Sequence, residues 1–173
     1  MTVLLMRHGE PDWGQVKDPR WRGAANDWAP LTPQGQVQSE QAADRLAGQH
    51  PTLVLSSPMT RALQTAAIVA SRLDVPLAVE LDLREWLPDE TYQWNSAEDV
   101  ATAYADMLHR GTRENHGAAR WEPLDEVRDR ALAALHRHAN PGATVVAVCH
   151  EVLIHAVTGH PQTGHGEIRT LSL

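Results

Sequence analysis

The first fourteen residues, Met1 to Gly14, read MTVLLMRHGEPDWG, a short apolar run that ends abruptly in Arg-His-Gly-Glu. The run from Thr2 to Met6 is too short for a helix, is partly β-branched and is soon followed by a glycine, which is typical of a buried β-strand. Arg7 and His8 stand at the end of this strand. Because ligands of an open α/β sheet bind beyond the carboxyl ends of its strands, these two side chains are candidates for a ligand site.

The remainder of the chain alternates between strand and helix patterns. Strands are predicted at 52–55, 75–79, 143–150 and 166–172, and helices at 33–49, 58–73, 96–110, 123–139 and 151–158. Two helices carry start signals, since Thr32 precedes Pro33 as an N-cap and Ser96 with Asp99 forms a capping box. Strands separated by helices predict an α/β fold with a mostly parallel central sheet and helices on both faces.

Length and composition restrict the class of protein. With 173 residues the chain is expected to form one domain, residues 1–173, that buries a core without disulfide or metal support. Its single cysteine, Cys149, excludes an internal disulfide and suits a reducing compartment, and no apolar stretch is long enough to span a bilayer. We therefore expect a cytoplasmic protein without a membrane partner. The net charge of -7 argues against nucleic acid and leaves a small anionic ligand possible where arginines converge.

Polar side chains follow three of the predicted strands. Arg7 and His8 follow the first strand, Ser57 and Arg61 the second, and His150 the fourth. If these strands are neighbours in a parallel sheet, two imidazoles and two guanidinium groups meet at one edge. Arginine binds phosphate oxygens through paired hydrogen bonds, and the helix start after Ser57 adds backbone N–H donors. This combination predicts a site for a phosphate dianion.

The same set of groups can perform phosphoryl transfer. An imidazole nitrogen directed at phosphorus can act as a nucleophile and form a covalent intermediate, which divides one difficult displacement into two steps. The remaining donors then stabilise charge on the equatorial oxygens of the transferred group. A phosphoryl-transfer enzyme is therefore one interpretation of these residues.

Four segments occur in the order of the signatures of a known family. They are LLMRHGEPDW at 4–13, LTPQGQVQ at 31–38, SSPMTRALQTA at 56–66 and VVAVCHEVLI at 145–154. Together they resemble the histidine phosphatase superfamily, also called phosphoglycerate mutase-like, over nearly the whole chain. The resemblance implies the fold of that family and phosphoryl transfer without a metal or other cofactor.

The resemblance also implies roles for the residues at the strand ends. His8 would be the phosphorylated nucleophile, and His150 would be the second histidine of the pocket. Arg7 and Arg61 would hold the phosphoryl group. Ser57 is added to the phosphate-binding set because of its place at the helix start, not because of the resemblance.

A general acid is expected after the third predicted strand. Glu85, in DLREW at 82–86, stands where the family usually places a carboxyl group that donates a proton to the leaving oxygen and then activates water. Asp82, Asp89 and Glu90 are nearby competitors for this role. A structural ion pair is the other interpretation of Glu85.

Three departures from the family pattern concern the substrate. Pro11 to Gly14 replaces a common Thr-x-Trp-Asn, WLPDETYQW at 86–94 replaces the glycine-rich acidic stretch of mutases, and Glu151 stands where most members have glycine. The chain is also shorter than typical glycolytic mutases. The departures leave the phosphoryl site intact, and the shorter length favours a phosphatase that hydrolyses a small phosphomonoester, with mutase-type phosphoryl transfer as the alternative.

Substrate contacts are expected from two tryptophan-containing loops, 7–31 and 80–95. The candidates in the first loop are Trp13, Arg20, Trp21 and Arg22. The tryptophans could equally pack in the core. The arginines could be solvated or could reach a second anionic group on the substrate.

Two other function classes stay open. A non-catalytic phosphate-binding module would keep the arginines but would need neither an imidazole nucleophile nor a general acid. A metallohydrolase is suggested by HEVLIH at 150–155 and by GHPQTGHGE at 159–167. Two histidines five residues apart fit poorly on one helical face, where metal ligands stand four apart, so no metal site is expected.

The remaining candidates are expected to be structural. Cys149 lies on a predicted buried strand and is expected in the core rather than as a reactive thiol. The strand edge near Ile168 to Leu171 could pair in a dimer, although the sequence does not set the oligomeric state. Five further histidines are expected on the surface or in helices: His50, His109, His116, His136 and His138.

Overall fold

The central sheet has five strands in the residues that the computed structural model describes, which are 1–17, 23–138 and 140–173. They are β1 Thr2–Arg7, β2 Leu53–Ser56, β3 Leu77–Val79, β4 Thr144–Cys149 and β5 Ile168–Ser172. Their order across the sheet is β3-β2-β4-β1-β5. The first four strands run parallel, and β5 runs antiparallel to β1. The predicted α/β fold with a mostly parallel sheet is confirmed.

Helices connect the strands and cover both faces of the sheet. They are α1 Pro33–Leu46, α2 Thr60–Leu73, α3 Ala97–Arg110, α4 Arg113–His116, α5 Leu124–Arg137 and α6 Glu151–Thr158. Short 3₁₀ turns lie at Trp13–Val16, Gly23–Trp28, Ala47–Gln49 and Leu81–Leu83. Leu4 and Met6 of β1 pack with buried residues of α1 and α2, whereas Val3 and Leu5 pack with buried residues of α5 and α6. The alternation of side chains along β1 thus buries the strand on both faces.

The capping signals of the sequence act as expected. Thr32 accepts a hydrogen bond from the backbone N–H of Gly35 at 2.9 Å, and Pro33 occupies the first position of α1. At the start of α3, the side chain of Ser96 accepts from the N–H of Asp99, while the Asp99 carboxylate accepts from the N–H of Ser96. Both helices therefore begin where side chains satisfy backbone donors that have no partner within the helix.

Some boundaries differ from the predicted ones. The strand predicted at 75–79 is only Leu77–Val79, because β3 is an edge strand that pairs only with β2, and its exposed Leu77 and Val79 leave no buried pattern to extend it. Helix α2 begins at Thr60, two residues later than predicted, with no side-chain cap at Met59. Helix α4 has four residues, which is too short for a periodic pattern.

Two glycines bring the end of β1 against the start of α1. A Cβ atom on Gly9 would lie 2.3 Å from the carbonyl oxygen of Gly35, and one on Gly35 would lie 2.3 Å from that of Glu10. Real Cβ atoms do not approach backbone this closely. The glycine in LTPQGQ is therefore required by the position of the segment that carries His8.

Two expectations about single residues can be compared with the structure. Cys149 is fully buried in the core, as predicted, and burial raises the pKa of its thiol. His116 lies in helix α4, within the surface-or-helix expectation, but it is buried because its ring packs edge-on against Trp121, with Nε2 2.5 Å from the Trp121 carbonyl oxygen. Within the described ranges, no helix combines the length and the apolar character that crossing a membrane requires.

Candidate active site

The candidate site lies at the carboxyl edge of the sheet, where β4 pairs with both β1 and β2. His8 follows β1, Ser57 follows β2 and His150 follows β4, and all three are buried. The rings of His8 and His150 meet edge to face with centroids 5.0 Å apart. Arg61, in the first turn of α2, reaches His8. The structure thus brings together side chains that follow three different strands.

The tautomer of His8 can be assigned from its hydrogen bonds. Nδ1 lies 2.7 Å from the carbonyl oxygen of Gly9. A carbonyl oxygen only accepts, so Nδ1 carries the ring proton and Nε2 keeps its lone pair. Nε2 accepts a hydrogen bond from the Nε–H of Arg61 at 3.2 Å. Burial, and then the charge of Arg61, lowers the pKa of His8 well below its ordinary value, so the ring is neutral.

Arg61 links His8 to the loop after β1. Its guanidinium also donates to the carbonyl oxygen of Asn26 at 2.8 Å and to the sulfur of Met59 at 3.2 Å. The ring centroid of Trp13 lies 5.3 Å from the central guanidinium carbon, which is a cation–π distance. Trp13, predicted as a substrate-loop residue, is therefore placed beside Arg61 with 43% of its surface exposed.

Arg7 is held by the segment after α6 and by α6 itself. Its Nη1 donates to the carbonyl oxygen of Thr163 at 2.6 Å, and its Nη2 forms an ion pair with Glu151 at 3.1 Å. Its Nε atom is buried and has no partner among the described residues. Glu151, which departs from the family pattern, therefore lies against one of the predicted phosphate-binding cations.

His150 contacts Ser57, the predicted phosphate-binding residue that follows β2. Its Nε2 lies 2.8 Å from Oγ of Ser57, which also accepts from the N–H of Met59 at 3.3 Å. Nδ1 of His150 is buried without a partner in the described chain. Burial, followed by the charge of Arg61, lowers the pKa of His150 well below its ordinary value. Ser57 thus fixes the orientation of a neutral His150 ring.

Glu85 lies in the wall of the cavity that Arg61 also lines. Its Oε1 accepts from the N–H of Trp86 at 2.8 Å, and its Oε2 accepts from the N–H of Val152 at 3.4 Å. Burial raises the pKa of its carboxyl group, although these bonds and Arg61 oppose the shift. The three competing carboxyl groups do not line this cavity, and they form ion pairs elsewhere: Asp82 with Arg137, Asp89 with Arg120 and Glu90 with Arg113.

A buried ion pair fixes the loop that carries Glu85. Arg130 of α5 and Glu122 form two hydrogen bonds, of 2.6 and 3.0 Å. Arg130 also donates to the carbonyl oxygen of Glu85 at 3.2 Å, and Trp86 Nε1–H donates to that of Glu122 at 2.7 Å. The sequence analysis missed this pair, because nothing in a helical arginine marks a contact with a loop 45 residues away.

The cavity beside Arg61 has a volume of about 590 Å³. Glu85, Glu151 and Asp27 contribute carboxyl groups to its wall, and most of the other lining side chains are aromatic or aliphatic. Burial raises the pKa of Asp27. From the 80–95 loop, where substrate contacts are expected, Trp86 and Trp94 line this cavity, and both side chains are nearly buried.

His165 is a neighbour of the site that the sequence analysis considered only as a metal ligand. Its ring centroid lies 5.6 Å from that of His8, and burial, followed by the charge of Arg7, lowers its pKa. The antiparallel pairing of β5 with β1 brings it there, because Gly166 N–H donates to the Arg7 carbonyl oxygen. The predicted substrate residues Arg20, Trp21 and Arg22 lie outside the described residues.

The metal hypothesis can be compared with the described part of the chain. There, no three His, Cys, Asp or Glu side chains are grouped closely enough to hold a metal ion. The histidines at 150 and 155, which suggested the hypothesis, lie just before and within the eight-residue helix α6.

Comparison with known proteins identifies the family. A model of the histidine phosphatase superfamily (branch 1) matches residues 3–168. The uncharacterized phosphatase PhoE of Bacillus subtilis is 26% identical over an alignment of 174 residues that covers 99% of this chain and 83% of that protein. The probable phosphoglycerate mutase GpmB of Proteus mirabilis is 29% identical over 180 residues, with 98% of this chain and 80% of that protein covered.

A solved structure supports the same fold. The mycobacterial glucosyl-3-phosphoglycerate phosphatase in complex with VO3 superposes with a TM-score of 0.73 at 23% identity, covering 99% of this chain and 90% of that one. At this identity the superposition concerns the fold, whereas the family model also matches the segments that supply His8, Arg61 and His150. The chain belongs to the histidine phosphatase superfamily.

Proposed function

We propose that this chain is a metal-independent phosphatase that hydrolyses a small phosphomonoester through a phosphohistidine on His8. The observation that carries the proposal is the state of His8. Its ring is buried and neutral, its Nδ1 proton is donated to the Gly9 carbonyl oxygen, and its Nε2 lone pair faces the guanidinium of Arg61. A neutral imidazole next to a fixed cation is suited to attack a phosphoryl group whose oxygens that cation binds.

In the first step, the Nε–H of Arg61 passes from Nε2 of His8 to a phosphoryl oxygen, the freed lone pair of Nε2 attacks phosphorus, and the bond between phosphorus and the ester oxygen breaks. Arg61 and the unpartnered Nε–H of Arg7 are the proposed donors to the phosphoryl oxygens, together with Nδ1 of His150, which has no other described partner. The raised pKa of Glu85 favours a protonated carboxyl group, which donates its proton to the departing alkoxide. The alcohol leaves, and His8 carries the phosphoryl group.

In the second step, the Glu85 carboxylate takes a proton from water. The hydroxide attacks phosphorus, the bond from phosphorus to Nε2 breaks, and phosphate and neutral His8 result. Ser57 acts in both steps through its contact with His150. Trp13 is the proposed contact of the first substrate loop that the described residues support.

Hydrolysis is preferred to mutase-type transfer as the reaction. A mutase must retain a phosphorylated intermediate between its two half-reactions, which an open cavity of about 590 Å³ next to the nucleophile does not favour. The probable phosphoglycerate mutase relative supports keeping that transfer as the second candidate. A non-catalytic phosphate-binding module would not need the half-buried Glu85 that lines the same cavity.

The proposal extends to the setting of the enzyme. Residues 1–173 would act as one domain. A cytoplasmic location is proposed because the single cysteine is buried in the core and no disulfide contributes to stability. The partner would be a small phosphorylated molecule and no further cofactor is required by the two steps.

A trapping experiment tests the nucleophile. Brief incubation with ³²P-labelled substrate and an acid-free quench should leave an acid-labile, base-stable label on His8, which should be absent in His8→Ala. His109→Ala, on the exposed face of α3, is the matched control and should be labelled like the wild type. Label recovered on a serine or on Cys149, or full turnover by His8→Ala, would contradict the mechanism.

A further inference from the structure

The cavity beside Arg61 is larger than a phosphoryl group needs. Its volume of about 590 Å³ falls in the range of roughly 300–1,000 Å³ that is usual for small-molecule pockets. Helix α3 contributes Val100, Tyr104 and Leu108 to its wall, four residues apart and therefore in one stripe along the helix. Trp86, which meets Tyr104 edge to face at 5.9 Å, continues this apolar surface.

The stripe on α3 is only partly covered within the described chain. Leu108 is 49% exposed, although it is a large apolar residue on the cavity wall. Val100 and Tyr104 are half-buried. A bound apolar group would remove this surface from water, which is favourable in proportion to the area covered.

Beyond Arg61, the described lining residues offer no cation to a second anionic group on the substrate. Among the described lining residues, Asp27, Glu85 and Glu151 carry carboxyl groups, and the cation is Arg61. Arg61 already donates to Nε2 of His8 and belongs to the phosphoryl site. A carboxylate on the leaving alcohol would therefore enter a region of carboxyl groups and apolar surface, where desolvation of an anion is costly.

We infer that the substrates are phosphate monoesters of an uncharged alcohol with an apolar body, which lies in this cavity against Val100, Tyr104 and Leu108. The inference rests on the proposed function, since the cavity is joined to the site of phosphoryl transfer through Arg61 and Glu85. It gives the enzyme a substrate class that differs from phosphorylated carboxylic acids.

Binding and turnover with matched esters test the inference. Methyl-to-hexyl phosphonates, which cannot be hydrolysed at the P–C bond, should bind progressively more tightly, by about two- to fourfold for each added CH₂ that is buried. In turnover, glycerol 3-phosphate should have a higher kcat/KM than 3-phosphoglycerate. The two esters differ at one group, which is a neutral alcohol in the first and a carboxylate in the second.

The α3 stripe can be tested with two leucine variants. Leu108→Ser should reduce the ratio of hexyl- to ethylphosphonate affinity about threefold to tenfold, whereas Leu81→Ser, at an exposed leucine outside the cavity wall, should leave that ratio unchanged. Equal affinity across the phosphonate series, or a preference for 3-phosphoglycerate, would overturn the inference. If no phosphohistidine can be trapped but phosphonate affinity still rises with chain length, only the proposed mechanism would be contradicted.

A second, independent observation concerns the guanidinium of Arg130. All five of its N–H donors are used: Nε and Nη2 bind the two oxygens of Glu122, Nη1 binds the carbonyl oxygens of Asp82 and Arg84, and Nη2 also binds that of Glu85. The distances run from 2.5 to 3.2 Å. The three backbone contacts, to Asp82, Arg84 and Glu85, fix the path of the loop up to Glu85.

Glu122 completes this arrangement from the other side. Its carboxylate accepts from Arg130, from Nη2 of Arg84 at 3.0 Å and from the N–H of Leu87 at 3.3 Å. Its side chain is 4% exposed and that of Arg130 is 11% exposed. A buried ion pair of this kind contributes little net stability but is costly to break, which suits a device that fixes geometry.

We infer that Arg130 and Glu122 are positioning residues for Glu85. A lysine at 130 would keep the charge but could not span the loop, because an ammonium lacks the planar fork of five donors. Displacement of the loop would move the Glu85 carboxyl group away from the leaving oxygen without touching the phosphoryl-binding groups.

Single-turnover kinetics test this role. Arg130→Lys should slow phosphorylation of the enzyme by an alkyl phosphate at least tenfold more than by p-nitrophenyl phosphate, whose leaving group needs little protonation. When Arg130→Lys is introduced into the Glu85→Gln enzyme, it should slow phosphorylation little further, because the two residues act as a unit. Arg128→Lys, at an exposed arginine of the same helix, is the control and should behave as wild type.

A structural measurement keeps the inference testable if Glu85 is not the acid. Amide hydrogen exchange at residues 84–87 should accelerate in Arg130→Lys and not in Arg128→Lys. Unchanged exchange, or equal rate losses for both esters at an unchanged Tm, would overturn the positioning role. If Arg130→Lys does not fold, Glu122→Gln carries the same two measurements.

Discussion

The Nε–H of Arg61 donates to Nε2 of His8 at 3.2 Å, while Nδ1 of His8 donates to the Gly9 carbonyl oxygen at 2.7 Å. The two bonds assign opposite roles to the ring nitrogens and hold the lone pair on the one that faces Arg61. The positive charge of Arg61 also opposes protonation of His8, whose pKa is lowered mainly by burial. Arg61 thus keeps the imidazole in the state that the proposed attack on phosphorus requires.

The pH dependence of kcat/KM should reflect two opposite shifts. Activity requires neutral His8, so it should fall only as the pH drops through the lowered pKa of that ring. It also requires protonated Glu85, so with an alkyl phosphate it should fall as the pH rises through the raised pKa of that carboxyl group.

The variant Glu85→Gln separates the two limbs of this profile. It should lower kcat/KM for the alkyl phosphate by about 10²–10⁴ and remove the alkaline limb. The same ester is used for both enzymes, so its own ionisation cancels. An alkaline limb that persists in Glu85→Gln would assign that limb to another group.

The buried His150 should make folding stability depend on pH. Its pKa is lowered in the folded protein, so the unfolded chain binds the proton first as the pH falls below about 6.5. Stability from this group is present above that pH and is lost below it, by up to about 1.4 kcal/mol per pH unit.

Urea denaturation at a series of pH values can measure this linkage. The slope of unfolding free energy against pH below 6.5 should be smaller in His150→Gln than in wild type, whereas His109→Gln, at an exposed position, should keep the wild-type slope. Identical slopes in all three proteins would show that His150 is protonated equally in both states.

Glu151 should compete with phosphate for Arg7. The carboxylate lies 3.1 Å from Nη2 of Arg7, and both side chains are partly buried. In Glu151→Gln that charge is removed, so the inhibition constant of inorganic phosphate should fall about three- to tenfold, the effect of roughly 1 kcal/mol for a partly exposed charge. Glu90→Gln, at a carboxylate paired with Arg113, serves as the control. Weaker phosphate binding in Glu151→Gln would mean that the ion pair holds Arg7 in its binding position.

The fold and the strand-end residues were predictable because each has a local signal. The strand before Arg7 and the one before His150 are continuous apolar runs, and parallel pairing through β4 is enough to bring their ends together. Arg130 and His165 have no such signal. Arg130 lies inside an amphipathic helix and contacts a loop far away in sequence, and His165 reaches the site only because β5 is antiparallel to β1. Side chains that join a site through such long-range contacts cannot be identified from periodicity.

The substrate-facing part of the site was predicted only by composition. The tryptophans of the 80–95 loop indicated a pocket wall, and Trp86 and Trp94 do line the cavity. The contribution of α3 was not predicted, because Val100, Tyr104 and Leu108 have the spacing of ordinary core residues. The difference between a core stripe and a ligand-facing stripe depends on what covers it, which a helical pattern does not contain.

The contact between Gly35 and Glu10 should be sensitive to a single methyl group. In Gly35→Ala the new Cβ would lie 2.3 Å from the carbonyl oxygen and 2.9 Å from the nitrogen of Glu10, and backbone atoms cannot move aside as a flexible side chain can. Separation of the two segments should cost about 1–3 kcal/mol and lower Tm by roughly 3–10 °C. Gly48→Ala is the matched control, since apart from its own neighbours along the chain no atom lies within 4 Å of a Cβ built there, and its Tm should not fall. Because Glu10 lies two residues after His8, Gly35→Ala should also reduce the rate of phosphohistidine formation at temperatures where the variant is fully folded. A Tm equal to that of Gly48→Ala, or an unchanged rate in a destabilised variant, would show that the loop accommodates the methyl group without moving His8.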